Sequence, residues 1–108
     1  MPFAVLLTRH AEHDLDGLYD YIALHDTAGK AEHVLARIEK AFSSLSDSPQ
    51  RGAYPRELLA MGIREYRELF FKPYRTIYRV VGRNVYVLLI ADGRRDFQTL
   101  LQRRMLEG

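Results

Sequence analysis

Residues 74–91 read Tyr74-Arg75-Thr76-Ile77-Tyr78-Arg79-Val80-Val81-Gly82-Arg83-Asn84-Val85-Tyr86-Val87-Leu88-Leu89-Ile90-Ala91. β-Branched and aromatic residues dominate both halves, and such residues suit a pleated, half-buried surface. Gly82-Arg83-Asn84 between them is hairpin chemistry, because Gly and Asn tolerate positive φ. The segment therefore predicts two antiparallel strands, Tyr74 to Val81 and Val85 to Ala91. The second is almost wholly apolar, as expected of a central strand covered on both faces. Upstream, Ile63 to Phe71 reads as a third strand, separated from Tyr74 by Pro73, and the three form a meander.

Towards the N-terminus the period changes. Phe3 to Leu7 is a short apolar run, read as a first strand. Thr8 can cap the helix that follows, in which Leu15, Leu18, Tyr19 and Ile22 recur at helical spacing with Glu12, Asp14, Asp16 and Asp20 on other faces. This helix should end near His25-Asp26. Asp26 or Thr27 caps a second, striped by Ala31, Val34, Leu35, Ile38, Phe42 and Leu45. Ser46-Asp47-Ser48-Pro49 stops it. Residues 49–62 read as a loop with one helical turn around Glu57 to Met61. Asp96 can cap a last helix through Leu106, with Phe97, Leu100, Leu101 and Met105 available for packing.

The expected fold is thus α+β, in the order β-α-α-β-β-β-α. It has a small antiparallel sheet with an N-terminal helical hairpin packed on one face, which leaves the opposite face open to solvent or a partner. The 108 residues suffice for one domain spanning residues 1–108. Zero cysteines exclude a disulfide framework, a thiolate metal site and a cysteine nucleophile. No apolar run approaches a membrane span, and the N-terminal run is too short for a secretory signal, so a soluble cytoplasmic protein is expected.

Charge divides the chain. Residues 1–50 hold four Lys and Arg against eight acids, whereas residues 51–108 hold twelve against six. The second half prefers Arg, which makes planar bidentate contacts to phosphate or carboxylate. Alternation puts Arg75 and Arg79 on one strand face, opposite Tyr74 and Tyr78. With Arg67 on the preceding strand and Arg94 and Arg95 after the last, five arginines are expected to converge into one basic patch. Each has a structural alternative, an ion pair to Glu65, Glu68, Asp92 or Asp96. The patch suits a nucleic acid or an acidic protein surface.

Signatures of catalysis are weak. There is no P-loop, G-x-G-x-x-G or H-E-x-x-H. His10, His13 and Asp14 could share a helical face as metal ligands, but a solvated acidic helix surface explains them as well, and neither metal nor cofactor is expected. Ser43, Ser44, Ser46 and Ser48 surround a helix end, where serine caps. No nucleophile–base pair is evident. Any enzymatic chemistry would have to be run at a phosphate by Arg, Lys, Tyr or His.

Ordered blocks over about 85 residues resemble the ParE/RelE superfamily of plasmid-stabilisation-type toxins from type II toxin–antitoxin systems. They are Ala11-x-x-Asp14-Leu15-x-x-Leu18-Tyr19-x-Tyr21-Ile22, Ala41 to Leu45 with Ser48-Pro49-x-x-Gly52, and Glu57-Leu58. Ile63-Arg64-Glu65-Tyr66-Arg67-Glu68, Pro73 to Val80 and Ile90 to Asp96 complete the series. The resemblance implies helices packed on one face of a small antiparallel sheet, and a cognate antitoxin as partner.

It also implies one of two activities. RelE-like members cleave mRNA in the ribosomal A site. ParE-like members lack nuclease activity and poison DNA gyrase. Of the basic residues the nuclease pattern uses, Arg67, Arg75 and Arg95 have matches, but Leu69 stands for the second of a basic pair. The expected tyrosine of the last helix falls at Leu101, and the histidine used by some relatives falls at Asp92. The ParE-like branch is therefore the first reading, with Arg67, Arg75, Arg79, Arg94 and Arg95 binding gyrase. The alternative is a ribosome-dependent mRNA endonuclease, with Arg67, Arg75 and Arg95 at the phosphate and Tyr74 or Tyr78 moving protons. A third is a non-toxic partner in an antitoxin–DNA repressor. Without a helix-turn-helix signature, operator DNA would be met only through the antitoxin.

Overall fold

The hairpin segment forms the centre of the sheet, and the rest of the chain is arranged to cover it. The structure, a computed structural model, describes residues 2–107. In chain order the elements are β1 (Ala4–Leu7), α1 (Arg9–His25), α2 (Ala28–Ser43), α3 (Arg56–Leu59), β2 (Tyr66–Phe71), β3 (Tyr74–Val81), β4 (Asn84–Asp92) and α4 (Phe97–Glu107). A single 3-10 turn, Ser44–Ser46, extends α2. Among the described residues no helix is long and apolar enough to cross a membrane.

The punctuation acts locally as its chemistry predicts. Thr8 Oγ1 accepts from the Ala11 amide at 3.1 Å, and Thr27, rather than Asp26, accepts from the Lys30 amide at 3.0 Å. Each satisfies an amide that has no partner within its helix. Asp96 caps α4 by accepting from the Thr99 amide and hydroxyl. Gly82 turns the β3–β4 hairpin at φ 61°. β2 starts at Tyr66 rather than Ile63, because the Ile63 amide is spent on the Leu58 carbonyl at the end of α3.

The strand order is β1-β4-β3-β2. The β2–β3–β4 meander is antiparallel. β1 joins β4 in parallel, pairing Ala4 with Asn84 and Leu7 with Val87, so the four-stranded sheet is mixed. The ladder slips between Ile77 and Tyr78: Ile77 faces Leu89 but Tyr78 faces Val87, leaving Leu88 as the extra residue. Such a bulge bends the strand and re-aims its side chains.

The helical hairpin covers one sheet face. Ala11, Ile22, Val34, Ile38 and Phe42 pack there with Leu69, Tyr78, Val85, Val87 and Ile90. The other face is not left open. Leu58 of α3 with Phe97 and Leu101 of α4 cover Tyr66, Ile77, Leu89 and Ala91 in a second core. Fully burying a side chain of this size contributes about 1.5–3 kcal/mol, so short α3 and α4 suffice to close that face. β4 feeds both cores and is the central strand its apolar run predicts.

Candidate functional site

Arg75 shows how far the expected patch departs from the structure. It lies on β3 beside the second core and is only 6% exposed. A guanidinium there must be fully paired. Its Nε donates to Glu68 Oε1 at 2.7 Å, and Nη1 and Nη2 both donate to Glu57 at 2.8 Å. The Phe97 ring lies against its Cζ at 3.9 Å. Gly93 packs on its stem so closely that a Cβ would sit 2.6 Å from Arg75 Cδ. The ion pair holds the Glu57 carboxyl below its usual range and raises Arg75 further. Arg75 is thus a mostly buried structural centre, which reaches only the wall of a cleft of about 560 Å³ that Lys72 and Arg94 also line.

The remaining four arginines divide between two ends of the sheet. Arg67 alternates with Leu69 and Phe71, which belong to the helical-hairpin core, so it lies on the face opposite Arg75. Its Nη1 donates to the Gly52 carbonyl at 2.9 Å and Nη2 to the Tyr54 hydroxyl at 3.1 Å. Arg79 is exposed and reaches over the Tyr66 ring at 5.8 Å. Around the β2 edge, Arg67, Arg79 and Arg64 line one shallow cleft of about 260 Å³ with Glu65. At the opposite end, Arg94 and Arg95 line a larger cleft of about 540 Å³ between α1 and the end of β4. Arg94 grips Asp92 at 2.7 Å, which holds that carboxyl below its usual range. Arg95 is exposed and its side chain makes no hydrogen bond or ion pair among the described residues, though its charge also helps hold Asp92 ionised.

The proton-transfer candidates fare unequally. Tyr78 is fully buried, and its hydroxyl accepts from the Gly52 amide at 2.9 Å. Burial raises its pKa, so it neither reaches solvent nor ionises readily. Tyr74 lines the cleft beside α1 with Arg94 and Arg95. Its pKa is raised too, chiefly by burial and then by Asp92. Leu101 is 2% exposed within the second core, so no side chain at its position reaches a substrate without repacking α4. His10 and His13 lack their expected companion. Asp14 is engaged elsewhere, accepting from Arg104 Nη1 at 2.7 Å and from the Ile90 amide at 2.9 Å.

Sequence reasoning missed Glu57 as the main partner of Arg75, and Arg104 as the partner of Asp14. Partial signals existed. An arginine flanked by apolar strand positions needs a carboxylate, and Glu68 was among those considered.

These elements and their order define the class: the RelE/ParE fold. Three solved structures share it. A chromosomal ParDE toxin–antitoxin system of P. aeruginosa superposes with a TM-score of 0.70 at 24% identity, over 83% of this chain and 95% of that one. A free-state mutant of the E. coli toxin RelE gives 0.64 at 14% identity, over 95% and 98%. The RelBE2 toxin–antitoxin complex of Mycobacterium tuberculosis gives 0.60 at 26%, over 85% and 92%. In sequence, the model of the ParE toxin of type II toxin–antitoxin system, parDE, matches residues 5–97. Toxin ParE3 of Caulobacter vibrioides is 32% identical over 100 residues, covering 93% of this chain and 96% of that relative. The chain belongs to the ParE toxin family of type II toxin–antitoxin systems.

Proposed function

We propose that this ParE-type toxin is a non-enzymatic inhibitor of DNA gyrase, acting in the cytoplasm and held inactive by a cognate antitoxin encoded beside it. The state of Arg75 carries the choice against RNA cleavage. A nuclease needs that arginine at the scissile phosphate, where its charge can stabilise the transition state. Here every guanidinium nitrogen donates to Glu57 or Glu68, beneath the Phe97 ring. Freeing it for a phosphate would leave two mostly buried carboxylates without their counter-ion. The buried Leu101 and the Arg94-paired Asp92 leave no proton donor where that chemistry places one.

Arg94 and Arg95 at one end of the sheet and Arg79 at the other are exposed, with Arg67 half-exposed behind Tyr54, and they suit a docking surface for the target that spans both ends. The antitoxin would act by covering part of this surface, and operator DNA would be read by the antitoxin alone. Likeness to a ParDE system and to a RelBE2 toxin–antitoxin complex supports an antitoxin partner. The test is a pair of assays on purified, antitoxin-free toxin: plasmid supercoiling by gyrase, and mRNA integrity on programmed ribosomes. Trapped, cleaved plasmid with intact mRNA is expected. Cut mRNA with unaffected gyrase would overturn the reading.

A further inference from the structure

Gly17 lies in the interior of α1, where glycine destabilises a helix by about 1 kcal/mol relative to alanine. Nothing in the fold requires it. A Cβ built there meets no atom within 4 Å. Its effect lies outside the helix. Gly17 faces the cleft of about 540 Å³, sharing a helix face with His13, Asp14 and Tyr21, three or four residues away. Leu18, Tyr21, Tyr74 and Ile90 make the wall apolar. Tyr21 is 63% exposed, and its ring stacks on His25 at 4.2 Å, which steadies a large apolar surface at the mouth.

The charges around this cleft sum simply. Asp14 is neutralised by Arg104, and Asp92 by Arg94. Arg95 remains, an exposed cation whose side chain makes no hydrogen bond or ion pair among the described residues and only adds, after Arg94, to the field that holds Asp92 ionised. The cleft therefore combines an apolar hollow above a missing side chain with one unbalanced positive charge on its rim. That is the complement of a bulky apolar side chain with a carboxylate beside it.

We propose that the cleft seats one segment of the antitoxin, with a large apolar or aromatic side chain over Gly17 and an adjacent Asp or Glu on Arg95. This rests on the reading that an antitoxin neutralises the toxin, and it adds where and how. Occupying the cleft covers Arg95 and crowds Arg94, so the antitoxin and the target compete for the same cations.

The experiment titrates purified, full-length antitoxin into the toxin and its Gly17→Ala, Gly17→Leu and Arg95→Glu variants by calorimetry, with thermal unfolding of each. Gly17→Leu places its side chain toward the hollow, from a Cβ that meets no atom within 4 Å. It is expected to keep or raise Tm while weakening antitoxin binding about 100-fold, the scale of losing a buried anchor. Arg95→Glu is expected to weaken it about tenfold or more through charge reversal. Gly17→Ala should lose least of the three, because a methyl group leaves most of the hollow free. If Gly17→Leu and Arg95→Glu both bind within about twofold of wild type, a change too small for a lost anchor, the proposal is wrong. If Gly17→Leu loses gyrase inhibition but keeps antitoxin affinity, the occupant is the target and the proposal also falls. Failure of the wild-type toxin to bind the antitoxin would instead bring down the neutralisation reading itself.

Discussion

Asp14 and Arg104 are 90 positions apart in sequence and joined at 2.7 Å in the fold. Their pairing answers a backbone problem. β1 ends at Leu7, paired with Val87, so the outer edge of β4 has no strand neighbour beyond that point. There the Leu88 carbonyl accepts from Arg104 Nη1 at 2.7 Å, and the Ile90 amide donates to Asp14 Oδ2 at 2.9 Å. The ion pair continues the hydrogen bonding that the strand abandons, and it ties α1 and α4 to the bulge.

Both side chains are mostly buried, at 17% and 15% exposure, so removing Asp14 leaves Arg104 only its more exposed partner Glu107 at 3.4 Å, and removing Arg104 leaves the Asp14 charge without a counter-ion. Asp14→Ala is expected to cost about 3 kcal/mol in urea unfolding. Asp14→Ala with Arg104→Met should cost clearly less than the sum of the singles, by at least about 1 kcal/mol. Additive effects in this double-mutant cycle would show that the pair does not act as a unit.

The Arg75 cluster predicts acid sensitivity of a defined sign. The Glu57 carboxyl titrates below its ordinary value of 4.5 because Arg75 favours the charged form. A depressed carboxylate stabilises the fold above its unfolded-state pKa, and that contribution is lost as pH falls through the folded value. Glu57→Gln should therefore lower Tm at pH 7. The gap to wild type should begin to close below about pH 4.5 and vanish once wild-type Glu57 is protonated in both states. A gap that stays constant from pH 7 to acid would mean that packing, not charge, sets the effect of the substitution.

The strands and helices were legible because each rests on local chemistry: the 2-period in Tyr74 to Val81, the Gly82 turn, the Thr8 and Thr27 caps. Even strand parity survived, since Arg75 and Arg79 do lie opposite Tyr78. What the sequence hid was which groups meet across the fold. Arg67 and Arg75 share a type and neighbouring strands, yet they face opposite ways, because strand parity is counted within each strand and the register places Arg67 opposite Tyr78. Asp14 read as one acid among several on a solvated helix because its partner is in the last helix. The second core was missed because a four-residue helix and a short C-terminal one carry little periodicity of their own.

Two glycines should respond in opposite directions to one added methyl group. At Gly52 a Cβ would lie 2.6 Å from the Glu68 carbonyl oxygen and 2.6 Å from the Tyr78 hydroxyl, so something must move. Gly52→Ala is expected to destabilise by about 2 kcal/mol or more, as overpacking does. Gly17→Ala meets open space and should stabilise by up to about 1 kcal/mol through helix propensity. Thermal unfolding of the two variants checks both signs. Equal shifts would mean that the crowding at Gly52 relaxes freely.

The arginines separate stability from target binding. Arg75→Lys keeps the charge but cannot reproduce three directed bonds to two carboxylates, so Tm should fall, and inhibition with it only as far as folded toxin is lost. Among the described residues Arg79 makes a ring contact at 5.8 Å and the side chain of Arg95 makes no hydrogen bond or ion pair, so neither should move Tm much. If these exposed cations meet gyrase, Arg79→Glu with Arg95→Glu should raise the concentration needed to inhibit supercoiling about tenfold or more, and weaken its dependence on salt. The two groups would then lie on different lines in a plot of inhibitory concentration against Tm. Full potency in the double variant would remove these arginines from the target surface, and a single line through all variants would reduce every effect to folding.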